Sequence, residues 1–224
     1  MKTPHTSREE VLDRIRKETA SVSLSPRALP SGYAGISRSY VRKGELSTPD
    51  KIALLIARLR DYDADVAEST LDSLSGCIQA VLSSSGRHTF GAPSGLRATW
   101  IVPGFDWKID NGMGNDHIEA LDGVVSAAFC AIAESGTIVL HHSRTVGRRP
   151  LTLLPDWHLC ILLASQVVET LPEYFARVQQ PPELVTWISG PSATADIEMT
   201  RIKGVHGPRH LRVILVRDDA ERDA

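Results

Sequence analysis

The sequence predicts an α/β fold with a mainly parallel sheet flanked by helices. Amphipathic helical stretches alternate with short apolar strands between about residues 50 and 102, which is typical of βαβ units. Two longer apolar runs, residues 124–133 and 158–168, lack polar alternation, as expected of strands buried on both faces. The 224 residues, 42% of them hydrophobic and 23% charged, are enough for one domain with a sizeable core and an extension.

The first residues predict a helical extension outside this domain. Ser7 is followed three residues later by Glu10, a capping-box pattern, and residues 7–20 then form a helix with only a narrow apolar face. Residues 21–47 are rich in Ser, Pro and Gly, which favours an irregular linker. The predicted divisions are an arm and linker (1–48), an α/β domain (49–217) and a charged tail (218–224).

The domain is predicted to begin with an amphipathic helix over residues 50–60. Its apolar residues recur at i, i+3, i+4 and i+7, and Pro49 stands near the first turn. A short strand at about residues 64–68 follows. The next predicted elements are a helix from about 71 to 84 with Ser69 and Asp72 in a capping pattern, strands at 88–90 and 100–102, and a short helix at about 116–121.

In the second half, the apolar run 124–133 is predicted to be one continuous strand. Glu134-Ser-Gly136 then forms a tight turn, and residues 137–140 return as the second strand of a hairpin. The remaining predicted elements are a buried strand over 158–168, a helix from about 171 to 178 capped by Thr170 and Glu173, and strands at 185–188 and 211–216.

Charge and cysteine usage exclude several classes of protein. A net charge of −2 provides no overall attraction to nucleic acid or to an acidic membrane. The three cysteines are dispersed, which indicates a reducing compartment and falls short of the four thiolates that an iron–sulfur cluster usually needs. The polar, acidic first residues do not have the pattern expected of a targeting peptide, and no apolar run reaches the roughly 20 residues of a membrane span. We therefore expect a soluble cytoplasmic protein.

Glu134 is the main candidate for a catalytic residue. It directly follows an apolar strand, where partial desolvation would raise the pKa of its carboxyl group and suit it to nucleophilic or acid–base work. The alternative is an exposed glutamate at the tip of a hairpin.

Two loops have features of anion binding. Arg144, Arg148 and Arg149 lie within six residues, and their guanidinium groups match carboxylates and phosphates bidentately. The alternative is a solvated basic loop. In residues 111–116 (NGMGND) two glycines can expose backbone N–H groups to an anion, although most such loops are plain turns. His141 and His142 are adjacent, so they point to opposite sides of an extended chain, and we expect no metal site.

The segment 187–198 (WISGPSATADIE) is the most distinctive. Gly-Pro ends a strand, and Ser192 or Thr194 can cap a following helical turn. We expect this loop at the carboxyl ends of the parallel strands, where ligands bind in open α/β sheets. Asp196 and Glu198 disfavour a simple phosphate site and suit hydroxyl groups or a cation. The alternative is a capped helix start with a solvated acidic face.

Four stretches together resemble one family. They are residues 131–137 (AIAESGT), 153–155 (LLP) with His158, 189–198 (SGPSATADIE) and 204–208 (GVHGP), and they resemble the LUD-domain family, in particular its members in lactate utilization. The resemblance covers roughly residues 49–216. It implies a fold of the NagB/RpiA/CoA-transferase type and a subunit of an iron–sulfur system that oxidises L-lactate to pyruvate. The clusters are expected on partner proteins, with no cofactor or metal bound directly by this chain.

We expect the chain to bind a small anionic ligand. The expected ligand-binding residues are Thr137, Arg144, Ser192, Thr194, Asp196, Glu198 and His206. The turn Glu134-Ser-Gly136 is similar to the Glu-Asn-Gly turn of CoA transferases, with Ser in place of Asn, so a stand-alone CoA-transferase-like enzyme that uses Glu134 remains an alternative. A structural or regulatory module is a further alternative, and a homo-oligomer is compatible with each of these.

Overall fold

The computed structural model describes residues 7–21, 36–37, 39–180, 182–194, 202–204 and 206–218. The chain divides into two compact units, Met1–Tyr40 and Val41–Ala224. In the first unit, helix α1 (Ser7–Ser21) confirms the predicted N-terminal helix, and its few apolar side chains, such as Val11, are largely exposed.

The second unit contains five helices and twelve strands among the residues that the structure describes. The helices are α2 (Thr48–Asp61), α3 (Leu74–Ser84), α4 (Asn115–Glu119), α5 (Arg149–Leu153) and α6 (Leu171–Arg177). The strands are β1 (Asp65–Thr70), β2 (Thr89–Pro93), β3 (Asp106–Asp110), β4 (Gly123–Ala127), β5 (Cys130–Ile132), β6 (Thr137–His141), β7 (Trp157–Leu163), β8 (Val167–Val168), β9 (Val185–Ile188), β10 (Ala193–Thr194), β11 (Ile202–Lys203) and β12 (His210–Arg217).

Six strands form a parallel sheet in the order β1-β12-β7-β4-β2-β3. Helices cover both of its faces because the side chains of its central strands alternate between two cores. In β12, Val213 packs with α2 on one face, whereas the next residue, Ile214, packs with α3 on the other. This arrangement confirms the predicted α/β fold with a mainly parallel sheet.

A second, mixed sheet has the order β8-β5-β6-β9. Its inner face packs against the α2 side of the parallel sheet, and its outer face packs against Tyr174 of α6. The hairpin predicted after the first apolar run is confirmed, with Ile132 opposite Thr137. Half of the predicted helix cap is present. The carboxylate of Glu173 accepts a hydrogen bond from the backbone N–H of Thr170 at 3.2 Å, whereas the hydroxyl of Thr170 has no hydrogen-bond partner among the described residues.

Two predicted continuous strands are wrong in the same way. Residues 124–133 divide into β4 and β5, and residues 158–168 divide into β7 and β8, with the first part of each run in the parallel sheet and the second in the mixed sheet. All four strands are buried, so the apolar run continues across the change of sheet and hydrophobicity does not mark the break.

The predicted strand at residues 100–102 is also wrong. Trp100 ends a short 3₁₀ helix, and the indole N–H of Trp107 donates a hydrogen bond to the carbonyl of Val102 at 2.8 Å. These apolar residues fill a loop that packs on the α3 side of the sheet. The strand in this part of the chain is β3, which begins a few residues later. It is an edge strand, and its charged residues weaken the apolar pattern that would predict it.

Candidate ligand-binding site

The Ser-Gly-Pro-Ser segment after β9 walls a cavity of about 240 Å³, which we call the motif cavity. Its lining comprises Thr152, Leu153, His158, Thr186, Trp187, Ile188, Ser189, Gly190, Pro191, Ser192, His206, Gly207, Pro208 and Leu211. His158 and Leu211 are the second residues of β7 and β12, so the cavity lies at the amino ends of these parallel strands. The expectation of a site at their carboxyl ends is therefore wrong, because β9 belongs to the mixed sheet.

Hydrogen bonds and one close backbone approach hold the wall in place. The hydroxyl of Ser189 is 2.8 Å from that of Thr137 in β6. Gly190 has φ +81° and lies against Tyr62, where a Cβ atom would come within 2.5 Å of the tyrosine Cβ. Glycine is required there on both counts, since a side chain would clash and the left-handed backbone disfavours other residues.

Ser192 connects two of the segments that line the motif cavity, residues 189–192 and 206–208. Its backbone N–H donates to the carbonyl of Pro208 at 2.8 Å, and its hydroxyl accepts from the backbone N–H of His206 at 3.0 Å. The prediction that Ser192 caps a helical turn is wrong, because Ala193–Thr194 form strand β10, antiparallel to β11. The alternative cap, Thr194, would act on residues outside the described ranges. Ser192 thus satisfies a neighbouring loop rather than a helix.

His158 supplies the most unusual group in the cavity wall. Its side chain is 0% exposed, and its Nε2 is 2.8 Å from the hydroxyl of the fully buried Ser126. Its Nδ1 is buried and has no hydrogen-bond partner among the described residues. Burial lowers the pKa of the imidazole to about 4, so the ring is neutral at physiological pH. His158 also lines the motif cavity, so its unpartnered nitrogen is the polar group there that calls for an explanation.

The predicted site residues fall into separate places. Ser192 and His206 line the motif cavity, and Thr137 supports it through Ser189. Thr194 is described only as part of β10. The predicted ligand-binding residues Asp196 and Glu198 lie outside the described residues.

Glu134 does not line the motif cavity. It is exposed in the turn between β5 and β6, and its backbone N–H donates to the carbonyl of Glu169 at 3.0 Å. The expectation of partial desolvation is wrong, because the buried run ends at the preceding residue, Ala133, and the Glu134 side chain is exposed. A catalytic role for Glu134 stays a prediction.

Arg144 lies in a different cleft, together with Arg148 and Arg149. This arginine cleft has a volume of about 680 Å³ and lies at the carboxyl ends of β2 and β3. One side chain, Thr186, connects the two places. It lines the motif cavity, and its hydroxyl accepts a hydrogen bond from Arg149 at 3.0 Å. The sequence motif and the arginine loop therefore meet at a shared wall and not in one pocket.

Comparison with known proteins identifies the family. A family model described as the LUD domain matches residues 102–216. A lactate utilization protein C of Deinococcus radiodurans is 35% identical over 212 residues, which cover 92% of this chain and 94% of that protein. The chain belongs to the LUD-domain family. This confirms the predicted family and its closeness to proteins named in lactate utilization.

Further LUD-domain relatives agree with this assignment. A lactate utilization protein C of Bacillus subtilis (strain 168) is 33% identical over 140 residues, 58% of each protein. A crystal structure of a DUF162 family protein from Deinococcus radiodurans matches with a TM-score of 0.64 and 32% identity, covering 77% of this chain and 99% of that one. The matched LUD region includes every residue that lines the motif cavity.

The cysteines of this LUD-domain chain do not suit an iron–sulfur cluster in the part that the structure describes. Burial raises the pKa of Cys130 to about 11 and that of Cys160 to about 12, which disfavours the thiolate form that binds iron. They lie in different cores, with Cys77 half-buried elsewhere. Within the described ranges, no group of three or more His, Cys, Asp and Glu residues could hold a metal ion.

Sequence reasoning missed the chemistry of His158 and Ser126. Both lie in runs that the sequence predicts to be apolar strands, and His158 enters only as part of the family resemblance. The available signal is a histidine placed within a run that is otherwise apolar and predicted to be buried.

Among the described residues no helix is long and apolar enough to cross a bilayer.

Proposed function

We propose that this chain takes part in L-lactate oxidation in the cytoplasm, as the component that carries no redox cluster. The iron–sulfur clusters reside on partner proteins, and this chain binds a small anionic substrate or product. Two observations support the proposal: the relatives are named lactate utilization protein C, and the described cysteines are separated and protonated.

The observation that carries the ligand proposal is the unpartnered Nδ1 of His158. A neutral imidazole has one N–H donor and one lone pair. If Nε2 donates to Ser126, Nδ1 accepts a hydrogen bond from a hydroxyl group. If the Ser126 hydroxyl donates to Nε2, Nδ1–H donates to a keto oxygen. The His158–Ser126 pair can therefore bind the C2 oxygen of either a 2-hydroxy acid or a 2-keto acid.

The rest of the cavity fits a small carboxylate. Its volume of about 240 Å³ is below the roughly 300–1,000 Å³ of sites for drug-sized ligands. Ser189 and Ser192 line it, and their hydroxyl groups can donate hydrogen bonds to carboxylate oxygens. The proposed ligand is a short 2-hydroxy or 2-keto monocarboxylate, such as L-lactate or pyruvate.

Calorimetric titration of the purified chain with L-lactate and with pyruvate tests the ligand. We expect His158→Phe to weaken binding at least about tenfold, because an aromatic ring remains but the nitrogen is lost. His117→Phe, at an exposed position of α4, is the matched control and should bind as the wild type does. Equal binding by the wild type and His158→Phe contradicts the ligand assignment.

The redox assignment needs a separate test. The purified chain should not reduce a dye when L-lactate is supplied, whereas a mixture with its iron–sulfur partner proteins should. Co-purification of those proteins with the chain provides a second readout. Lactate-dependent dye reduction by the isolated chain would contradict the proposal that the clusters reside on partner proteins.

A further inference from the structure

The geometry points to a second ligand site in the arginine cleft, and we propose that it binds a ligand carrying a phosphate or diphosphate group. The cleft is formed by the ends of β2 and β3 and by the loop before α5. Its lining comprises Ser94, Asp110, Asn111, Gly112, His142, Ser143, Arg144, Gly147, Arg148, Arg149, Pro150, Glu183 and Leu184. This site is distinct from the motif cavity and does not depend on the function proposed above.

Arg148 is fixed at one side of the cleft. Its Nε and Nη2 donate to the two carboxylate oxygens of Asp110 at 3.0 and 2.8 Å, and Nη2 also donates to the carbonyl of Met113 at 2.9 Å. The Asp110 side chain is only 2% exposed, and the guanidinium lowers the pKa of its carboxyl group. Nη1 of Arg148 has no partner among the described residues. It therefore remains available to a ligand at little ordering cost.

Arg149 is held by a chain of hydrogen bonds. His142 Nδ1 lies 2.9 Å from the carbonyl of Gly147, which can only accept, so Nδ1 carries the proton. In the neutral ring Nε2 then accepts from the hydroxyl of Thr186 at 2.7 Å. That hydroxyl in turn accepts from Nη1 of Arg149 at 3.0 Å. One guanidinium nitrogen anchors the side chain, and the others have no hydrogen-bond partner among the described residues, so they can bind an anion.

Arg144 completes the positive side of the cleft. Its carbonyl accepts from the backbone N–H of Gly95 at 2.8 Å, and a Cβ on Gly95 would come within 2.7 Å of that carbonyl oxygen. The backbone is thus pinned, while the Arg144 side chain makes no hydrogen bond or ion pair within the described ranges. Three guanidinium groups face two carboxylates, those of Asp110 and Glu183, so the lining has an excess positive charge.

The chemistry favours a phosphate over a single carboxylate. A phosphate has more acceptor oxygens and more charge to share between guanidinium groups, whose forks match it bidentately. The volume of about 680 Å³ lies within the roughly 300–1,000 Å³ of sites for organic ligands and cofactors. The glycine loop does not supply the donors, because the N–H groups of Gly112 and Met113 already bind Asp110 at 3.0 Å.

Titration of the full chain with inorganic pyrophosphate and with ADP, at low and high salt, tests this site. We expect binding to weaken about tenfold in Arg144→Ala and in Arg149→Ala, and to fall with salt. Arg60→Ala, at an exposed position of α2, should leave binding unchanged. Glu183→Gln removes an opposing carboxylate and should tighten binding. Tighter binding of ADP than of pyrophosphate assigns the site to a nucleotide, and the reverse assigns it to a free diphosphate.

The proposal is overturned if neither compound binds, or if Arg144→Ala and Arg60→Ala have equal effects. Arg144 is the decisive position because its exposed side chain makes no hydrogen bond or ion pair in the described structure, so its loss should leave the fold intact. A thermal melt of each variant checks this. L-lactate binding should persist in Arg144→Ala, so failure of this site and failure of the motif cavity are distinguishable.

Discussion

Acidification should destabilise the protein through the buried imidazole of His158. The side chain is 0% exposed, and burial lowers its pKa from 6.5 to about 4. Between these values the unfolded chain binds a proton that the folded protein excludes. The contribution of the neutral His158 to the free energy of unfolding is therefore fully present above about pH 7, and it is lost as the pH falls toward 4.

The size of the effect follows from the two pKa values. Relative to pH 7, His158 alone should lower the free energy of unfolding by about 1 kcal/mol at pH 5.5 and by about 2 kcal/mol at pH 4.5. A loss of this size is a substantial part of the roughly 5–15 kcal/mol that stabilises a typical domain. His141, whose pKa burial also lowers, and the carboxyl groups with lowered pKa add to the total, so a difference measurement is needed.

Urea denaturation of the wild type and of His158→Gln at pH 7.0, 5.5 and 4.5 isolates this contribution. Glutamine keeps a polar group near Ser126 but does not titrate. The variant is expected to be less stable at pH 7, yet its stability should decline less steeply as the pH falls. Parallel pH profiles for the two proteins would refute the reasoning, because they would mean that His158 is protonated equally in the folded and unfolded states.

Two other features lead to measurable outcomes. Gly190→Ala should lower the stability by about 1–3 kcal/mol in a thermal melt, since φ is +81° and the new Cβ would meet the chain at the end of α2. Gly76→Ala, inside α3 with no atom within 4 Å of the new Cβ, should be neutral or stabilise by about 0.5–1 kcal/mol, and a similar loss in both variants would contradict this reasoning. In a thiol-labelling assay at pH 8, Cys130 and Cys160 should react only after unfolding because they are buried with a raised pKa, whereas the half-buried Cys77 should react faster; rapid labelling of all three in the native protein would disprove their burial.

Local signals predict the elements whose causes are local. The i, i+3, i+4 spacing predicts α2, and its buried side chains are those of the predicted apolar face. The Thr170–Glu173 pair predicts the start of α6, and the Glu-Ser-Gly turn predicts the β5–β6 hairpin. Each of these depends on residues within a few positions of one another.

The sequence does not predict features that depend on pairing between residues far apart along the chain. The apolar run at 124–133 predicts a strand that stays in one sheet, but whether a buried strand pairs with β7 or with β6 depends on which strands surround it. The run 158–168 divides for the same reason. The sequence does not predict strand β3, because its charged residues hide the apolar pattern of a strand. Hydrogen bonding to β2 along one edge is enough to hold it in the sheet.

The sequence by itself determined the family, the α/β class and the order of most elements, because motifs and periodicity are written in neighbouring residues. Only the tertiary structure decided which side chains share a site. It places Ser192 and His206 in one cavity and Arg144 in another, with Thr186 between them. It also brings Ser126 to His158 through the pairing of β4 with β7, and leaves the other imidazole nitrogen of His158 buried without a partner among the described residues. The register between distant strands controls that contact, and no local pattern contains it.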